Sequence, residues 1–120
     1  TVAMRAWEIV HELAPAGGAA ILGPYKLENS CMAGNVRGHG LELTQDLSKL
    51  GMPGYVYYST VRAFKGLEAG VVVVVQVEPP DSIPSLSLED LYVACTRARS
   101  RLAIVAGSES AHGWFASHLK

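Results

Sequence analysis

Two short segments of the 120-residue chain combine residue types that bind phosphate and sugar groups. The first runs from Thr60 to Glu68 and reads TVRAFKGLE. Gly66 allows the backbone to approach a ligand closely, and backbone N–H groups in such a turn bind phosphate oxygens. Glu68 offers a carboxylate to a ribose hydroxyl, while Thr60, Arg62 and Lys65 offer donors to a nucleic-acid backbone. The alternative interpretation is a solvated turn with ordinary surface charges, which composition alone favours.

The second segment, Asp90 to Ile104, is basic near the predicted end of a helix. Its polar members there are Thr96, Arg97, Arg99 and Arg101. A cation in this position interacts favourably with the helix dipole, so a basic helix end is the simplest interpretation. The alternative is that one arginine reaches across a cleft to a phosphoryl group in transfer, because its planar fork of donors suits that task. An arginine in that role contributes a factor on the order of 10³–10⁵ in rate.

Four short apolar runs predict the strands that hold these segments. They cover residues 19–22, 55–59, 71–77 and 102–106. From Val71 to Val75 apolar and polar residues do not alternate. Such a run is typical of a strand buried on both faces, as in a parallel sheet covered by helices.

Helices are predicted between the strands. Apolar spacing or a capping residue predicts helices over residues 2–13, over residues 43–50 with Thr44 as the cap, after the N-cap Ser87, and over residues 111–119. Residues 26–33 fit a loop or a short helix, and residues 35–40 and 78–87 fit loops. Strands that alternate with helices indicate an α/β layer fold with a mainly parallel sheet. Ligands bind such sheets at the carboxyl ends of the strands, which points to the loops after Ser59 and Glu78.

Composition limits the class of protein. A chain of 120 residues with 49% hydrophobic residues fits one domain with a substantial core. The net charge of −1 means that any nucleic-acid contact is local. Cys31 and Cys95 form no disulfide scaffold or metal-ligand spacing, which is typical of reduced thiols in a cytosolic protein. No apolar run is long enough for a membrane span, and the start at Thr1 without methionine suggests a piece of a longer protein.

Together and in this order, the two segments resemble motifs V and VI of superfamily 1 helicases of the UvrD/Rep type. The family's motif V reads Thr-x-His-x-x-Lys-Gly-Leu-Glu before an apolar strand. Residues 60–68 match it, except that Arg62 stands in place of the histidine. The family's motif VI is a Tyr-Val-Ala-x-Thr-Arg-Ala string, which Tyr92 to Ala98 match. The resemblance covers residues 55–106 and implies a second RecA-like domain, a three-layer α/β fold with a mainly parallel sheet.

For the nucleotide, the resemblance implies four binding residues. Arg97 would be the catalytic arginine finger at the γ-phosphate of ATP. Glu68 would hold the ribose, and Gly66 would lie near the phosphates. Lys26 is the cation nearest to the place where the family's motif IV often supplies a second arginine to the γ-phosphate.

For nucleic acid, the resemblance implies contacts of Thr60 and Arg62 with the backbone of single-stranded DNA, with Lys65 as a further donor. Tyr92 and Thr96 would couple the DNA site to the nucleotide site.

The sequence lacks a Gly-x-x-x-x-Gly-Lys-Ser/Thr loop and a strand that ends in Asp-Glu to hold Mg²⁺. In this family both lie in a first RecA-like domain, and ATP binds between the two domains. The sequence therefore predicts the C-terminal motor domain of an ATP-dependent DNA helicase, which is inactive alone. Its partners would be single-stranded DNA and the first RecA-like domain of the same chain, which would hold most of the contacts to ATP and Mg²⁺. Two interpretations remain open beside it: a helicase-like module that binds nucleic acid or protein without catalysis, and a nucleotide-binding α/β domain of another class.

Overall fold

A computed structural model describes residues 1–77 and 88–106. The predicted loop 78–87, the cap Ser87 and the predicted helix 111–119 lie outside the described residues. The helices and strands of the described part are α1 (Val2–Leu13), β1 (Ala20–Gly23), β2 (Arg37–Gly38), β3 (Leu41–Thr44), β4 (Tyr55–Thr60), β5 (Ala69–Val77), α2 (Leu88–Cys95) and β6 (Ala98–Ala106).

The six strands of the described part form one sheet in the order β2-β3-β4-β1-β5-β6. All neighbouring pairs are parallel except β2 with β3, which is antiparallel. Helix α1 packs on one face of the sheet, while α2 and the turn after β4 pack on the other. The predicted α/β RecA-like fold, with three layers and a mainly parallel sheet, is confirmed.

The valines of β5 link the two halves of the core. Val71, Val73 and Val75 pack in the cluster that contains α1, and Val72 and Val74 pack in the cluster on the opposite face. All five are buried, which confirms the prediction of a strand covered on both sides. Each such side chain contributes about 1.5–3 kcal/mol relative to an exposed position.

Helix α1 lies where the sequence predicts it. The Thr1 hydroxyl accepts a hydrogen bond from the Met4 N–H and caps the first turn. The buried face of the helix includes Trp7, whose indole N–H donates to the Asn35 carbonyl oxygen at 2.9 Å. This bond fastens the loop between β1 and β2 to the helix.

The prediction of a helix over residues 43–50 is wrong. Leu41 and Leu43 are buried and Glu42 is exposed, so this stretch has the period of a half-buried strand, and it pairs with β4. Asp46 then accepts a hydrogen bond from the Ser48 N–H and starts a single 3₁₀ turn over Leu47–Lys49. Helical spacing of leucines was outweighed by tertiary pairing, which routinely overrides local propensity.

Strand β6 begins earlier than predicted. It starts at Ala98 rather than at residue 102, because Ala98 pairs with Ala69 at the start of β5. An irregularity in the pairing follows, and Arg101 then lies opposite Val71. Arg99 and Arg101 are therefore exposed residues of a strand and do not belong to the end of α2.

Candidate functional site

The two motif segments meet at the amino ends of β5 and β6. Glu68 immediately precedes β5, and Arg97 immediately precedes β6. The Ala69 N–H donates a hydrogen bond to the Arg97 carbonyl oxygen at 3.1 Å. The parallel pairing of the two strands therefore brings together the last residue of motif V and the arginine of motif VI, as neighbours on one edge of the sheet.

The Arg97 side chain lies against the end of its own helix. Its Nε donates to the Val93 carbonyl oxygen at 3.3 Å, and its Nη2 donates to the Thr96 hydroxyl oxygen at 3.3 Å. Thr96 in turn donates to the same Val93 oxygen at 2.8 Å. A cation at this position also faces the negative end of the helix dipole. The simple interpretation of a basic helix end therefore describes the position of the guanidinium in this structure.

Tyr92 of helix α2 and Thr96, which follows the helix, lie on the exposed side of the motif VI segment. Ala94 is fully buried against the sheet, whereas the Tyr92 side chain is 70% exposed. Thr96 is also exposed, and its backbone N–H donates to the Tyr92 carbonyl oxygen at 3.2 Å. Tyr92 is thus an aromatic side chain on the surface, close along the chain to Arg97.

The turn after β4 crosses the face of the sheet from one edge to the other. The Thr60 hydroxyl accepts a hydrogen bond from the Ala63 N–H at 3.1 Å, which starts the turn. Val61 and Phe64 are buried and hold the turn on the sheet, and the Phe64 ring lies 6.0 Å from that of Tyr57. The ends of the motif V segment therefore lie at opposite edges of the sheet.

Gly66 lies in this turn with a φ of +83°. No atom outside its chain neighbours lies within 4 Å of the position that a Cβ would occupy. The glycine is therefore required by its left-handed backbone rather than by a close neighbour within the described residues. Lys65, just before Gly66, and Glu68, at the end of the turn, are exposed.

A cleft lies at the carboxyl ends of β1 and β4. It has a volume of about 400 Å³, and its lining consists of Pro24, Tyr25, Lys26, Asn29, Thr60, Val61 and Arg62. The cleft thus joins three of the polar residues singled out in the sequence, which come from the loop after β1 and from the start of motif V. Lys26 and Arg62 are exposed, and Thr60 is half-buried.

This cleft and the Arg97 position are far apart. Leu22 pairs with both Ser59 and Val74, so the end of β4 is level with Val74. Val74 lies five residues beyond Ala69 on β5, which corresponds to about 16 Å at roughly 3.3 Å per residue. Because Ala69 is bonded to Arg97, the two sites occupy opposite edges of the sheet.

This separation changes two expectations. Lys26 lies with Thr60 and Arg62, so the four residues assigned to the nucleotide are not brought together. Glu68 and Arg97 lie at amino ends of strands, whereas sequence reasoning placed the ligand site at carboxyl ends. The reason is that motif V begins where β4 ends and finishes where β5 begins, and parallel strands place those two points at opposite edges.

Tyr58 positions the cleft, although sequence analysis did not select it. Its side chain is 1% exposed, and its hydroxyl donates to the Tyr25 carbonyl oxygen at 2.6 Å. Burial raises the pKa of this hydroxyl above its ordinary value, so it remains a donor. The bond holds the loop after β1, which carries Lys26, against β4.

Gln76 is a second residue that sequence analysis did not select. It has a φ of +53° at an irregularity in the pairing of β5 with β6. A left-handed backbone costs about 1–2 kcal/mol for a residue other than glycine. Its Oε1 accepts a hydrogen bond from the Cys31 N–H at 2.7 Å. In the sequence, Gln76 is marked only as the polar residue that interrupts the valine run of β5.

Candidate metal ligands and two cysteine thiols are also present in residues 1–77 and 88–106. No group of three or more His, Cys, Asp or Glu side chains is arranged there to hold a metal ion. Cys31 and Cys95 are free, and burial raises the pKa of both thiols. Within the same residues, no helix has the length and apolar content to cross a membrane.

The described residues form an α/β RecA-like fold that carries both motif segments. Residues 55–105 match the family model of the UvrD-like helicase C-terminal domain. No curated protein matches the chain. The matched segment extends from β4 through β5 and α2 into β6, so it includes both motifs. The predicted resemblance to UvrD-type C-terminal domains is thus confirmed over this segment, and it indicates a helicase-related function.

Proposed function

We propose that this chain is the C-terminal motor domain of an ATP-dependent DNA helicase, in which Arg97 supplies the arginine finger. The position of Glu68 beside Arg97 at the start of β5 and β6 is the observation that supports this most strongly. An exposed carboxylate and a guanidinium on the same edge are the groups that would bind a ribose hydroxyl and the γ-phosphate of ATP.

The residues at this edge fit a nucleotide. Glu68 would accept a hydrogen bond from a ribose hydroxyl, and the turn at Gly66 would lie near the phosphates. Arg97 would exchange its bonds to Val93 and Thr96 for charge-assisted bonds to phosphate. The released bonds go to neutral oxygens, whereas a phosphate offers charged oxygens that the planar guanidinium can bind in a bidentate manner. Bound ATP would supply the phosphoryl group, and the first RecA-like domain of the same chain would hold most of ATP and its Mg²⁺.

The cleft at the carboxyl ends of β1 and β4, here called the carboxyl-edge cleft, fits the backbone of single-stranded DNA. Lys26 and Arg62 supply two cations, and the Thr60 hydroxyl can donate to a phosphate while it accepts from Ala63. Lys65 would extend this contact along the turn. We therefore assign Lys26 to nucleic acid rather than to the γ-phosphate. Because these few cations neutralise only a few phosphates, we expect the domain alone to bind single-stranded DNA weakly.

The turn after β4 offers a physical link between the two sites. It starts in the cleft at Thr60, packs on the sheet through Val61 and Phe64, and ends at Glu68. A displacement of one end would therefore be transmitted through these buried contacts toward the other. Tyr92 in α2 and Thr96 just after it are both exposed and would also couple the nucleotide site to the DNA site.

The decisive experiment is Arg97→Ala in the full-length protein. The change should lower ATP hydrolysis by about 10³-fold or more, because a finger arginine stabilises charge in the transition state. Binding of single-stranded DNA and the melting temperature should remain close to those of the unmodified protein. Arg99→Ala is the matched control, since Arg99 is exposed on β6 two residues away. Near-normal turnover in Arg97→Ala would contradict the finger assignment.

A non-catalytic, helicase-like binding module is the second candidate. The observation that favours it is the position of the Arg97 guanidinium on its own helix end, where it is structurally satisfied. This candidate predicts that the full-length protein binds nucleic acid or protein but lacks ATP hydrolysis. The presence of a Gly-x-x-x-x-Gly-Lys-Ser/Thr loop in the native chain would argue against it.

A further inference from the structure

Gln76 combines an unfavourable backbone with a specific side-chain contact. Its φ of +53° is one that glycine adopts without strain, yet the residue is a glutamine. Its side chain leaves β5 and accepts the Cys31 N–H at 2.7 Å, across 45 residues of sequence. The bond is part-buried, so competition with water is reduced. A strained backbone that persists with a specific bond is typical of a residue with a positioning role.

The bond secures one end of the loop that forms a wall of the carboxyl-edge cleft. Tyr58 holds this loop near its beginning, through the Tyr25 carbonyl oxygen. Gln76 holds it near its end, at Cys31. Lys26 and Asn29 lie between these two points and line the cleft. The loop is therefore fastened to β4 on one side and to β5 on the other.

We infer that Gln76 is a positioning residue that holds Lys26 and Asn29 in place for a nucleic-acid phosphate in the cleft. The hydrogen bond between Gln76 and Cys31, here called the tether, does not depend on the proposed function. The identity of the ligand rests on the proposed function. Because Gln76 lies on β5, the same strand that begins beside Arg97, the tether also connects the cleft to the strand that joins both motifs.

Three substitutions separate the tether from the backbone strain. Gln76→Gly removes the side chain and accepts the positive φ, so the fold is preserved. Gln76→Asn tolerates the same backbone but is one methylene shorter, so its amide oxygen does not reach Cys31. Gln76→Glu keeps an acceptor oxygen at the same distance and is the conservative rescue variant.

Amide hydrogen exchange of the full-length protein tests the tether directly. Residues 24–32 should exchange at least about tenfold faster in Gln76→Gly and Gln76→Asn, because local opening is then easier. Residues of α1 and β4 should exchange as in the unmodified protein, and Gln76→Glu should restore slow exchange in the loop. Unchanged exchange of residues 24–32 in Gln76→Gly would overturn the positioning role, whether or not the protein binds DNA.

Binding of a fluorescent single-stranded oligonucleotide to the full-length protein tests the purpose of the tether. Affinity should fall about three- to tenfold in Gln76→Gly and Gln76→Asn and return in Gln76→Glu, while the KM for ATP stays constant. If residues 24–32 exchange faster in these variants while the affinity for the oligonucleotide is unchanged, the assignment of the tether to nucleic-acid binding is wrong. If the unmodified protein binds no oligonucleotide, the proposed function fails and the nucleic-acid role of Gln76 fails with it, while the exchange result still decides the tether.

Discussion

The Ala69 N–H and the Arg97 carbonyl oxygen form a hydrogen bond of 3.1 Å that joins the start of β5 to the start of β6. This bond fixes the backbone of Arg97 next to the residue that follows Glu68. It leaves the arginine side chain free to change partners, because the guanidinium is bonded only locally, to Val93 and Thr96, among the described residues. A fixed backbone with an exchangeable side chain would allow Arg97 to act as the proposed finger.

Glu68→Ala should raise the KM for ATP of the full-length protein about tenfold and leave kcat nearly unchanged. A ribose contact is present in both the ground state and the transition state, so its loss weakens binding uniformly. The steady-state kinetics of ATP hydrolysis measure both constants. Glu42→Ala is the matched control, because Glu42 is an exposed carboxylate on β3. An unchanged KM in Glu68→Ala would remove this residue from the nucleotide site.

Lys26→Ala and Arg62→Ala should each weaken binding of single-stranded DNA and reduce the slope of log affinity against log salt by about 0.7–1. The slope reports the number of phosphates neutralised, and each variant removes one cation of the cleft. Titrations at several salt concentrations give this slope. Arg5→Ala, on the exposed side of α1, should leave it unchanged. If Lys26→Ala instead slows ATP hydrolysis without a change of slope, the motif IV role of Lys26 is correct and our assignment is wrong.

Gly66→Ala should destabilise the protein by about 1 kcal/mol. A Cβ at this position has open space around it, so a steric clash is not the cause. The cause is the φ of +83°, a left-handed conformation that disfavours residues with a side chain. Gly66→Asn should be less harmful, since asparagine tolerates the left-handed region better than alanine. Urea unfolding at constant m-value measures the difference. Equal stability of the alanine and glycine proteins would show that the turn adopts another conformation.

Tyr58→Phe should lower the free energy of unfolding by about 1–3 kcal/mol, because the Tyr25 carbonyl oxygen loses its buried donor. The pH dependence has a definite sign. The pKa of Tyr58 is raised above the ordinary 10.0 by burial, so its contribution is complete below pH 10 and is lost as the pH rises through the folded-state pKa. The unmodified protein should therefore lose stability more steeply above pH 10 than Tyr58→Phe. Parallel alkaline profiles of the two proteins in urea unfolding would contradict this account.

Helices and strands with a strong local signal were predictable. The unbroken valine run of β5, the aromatic residues of β4 and the helical spacing of apolar residues in α1 each mark a buried element within one short segment. The stretch 41–50 was not predictable in this way, because Leu43, Leu47 and Leu50 fit a helix while the pairing of Leu43 with Val56 imposes a strand. The early start of β6 likewise depends on its partner strand, since nothing local marks Ala98 as a strand residue.

The sequence by itself determined the residue types of both motifs, their order and the buried strand between them, because motif chemistry and burial are local properties. Only the tertiary structure decided which of those residues meet. Parallel pairing of β5 with β6 brought Arg97 to Glu68, and the crossover from β4 to β5 placed Thr60 about 16 Å or more away with Lys26. The tether from Gln76 to Cys31 also depends on contacts between distant parts of the chain. Such contacts arise from strand order and register, which are set by the packing of the whole sheet and not by any single segment.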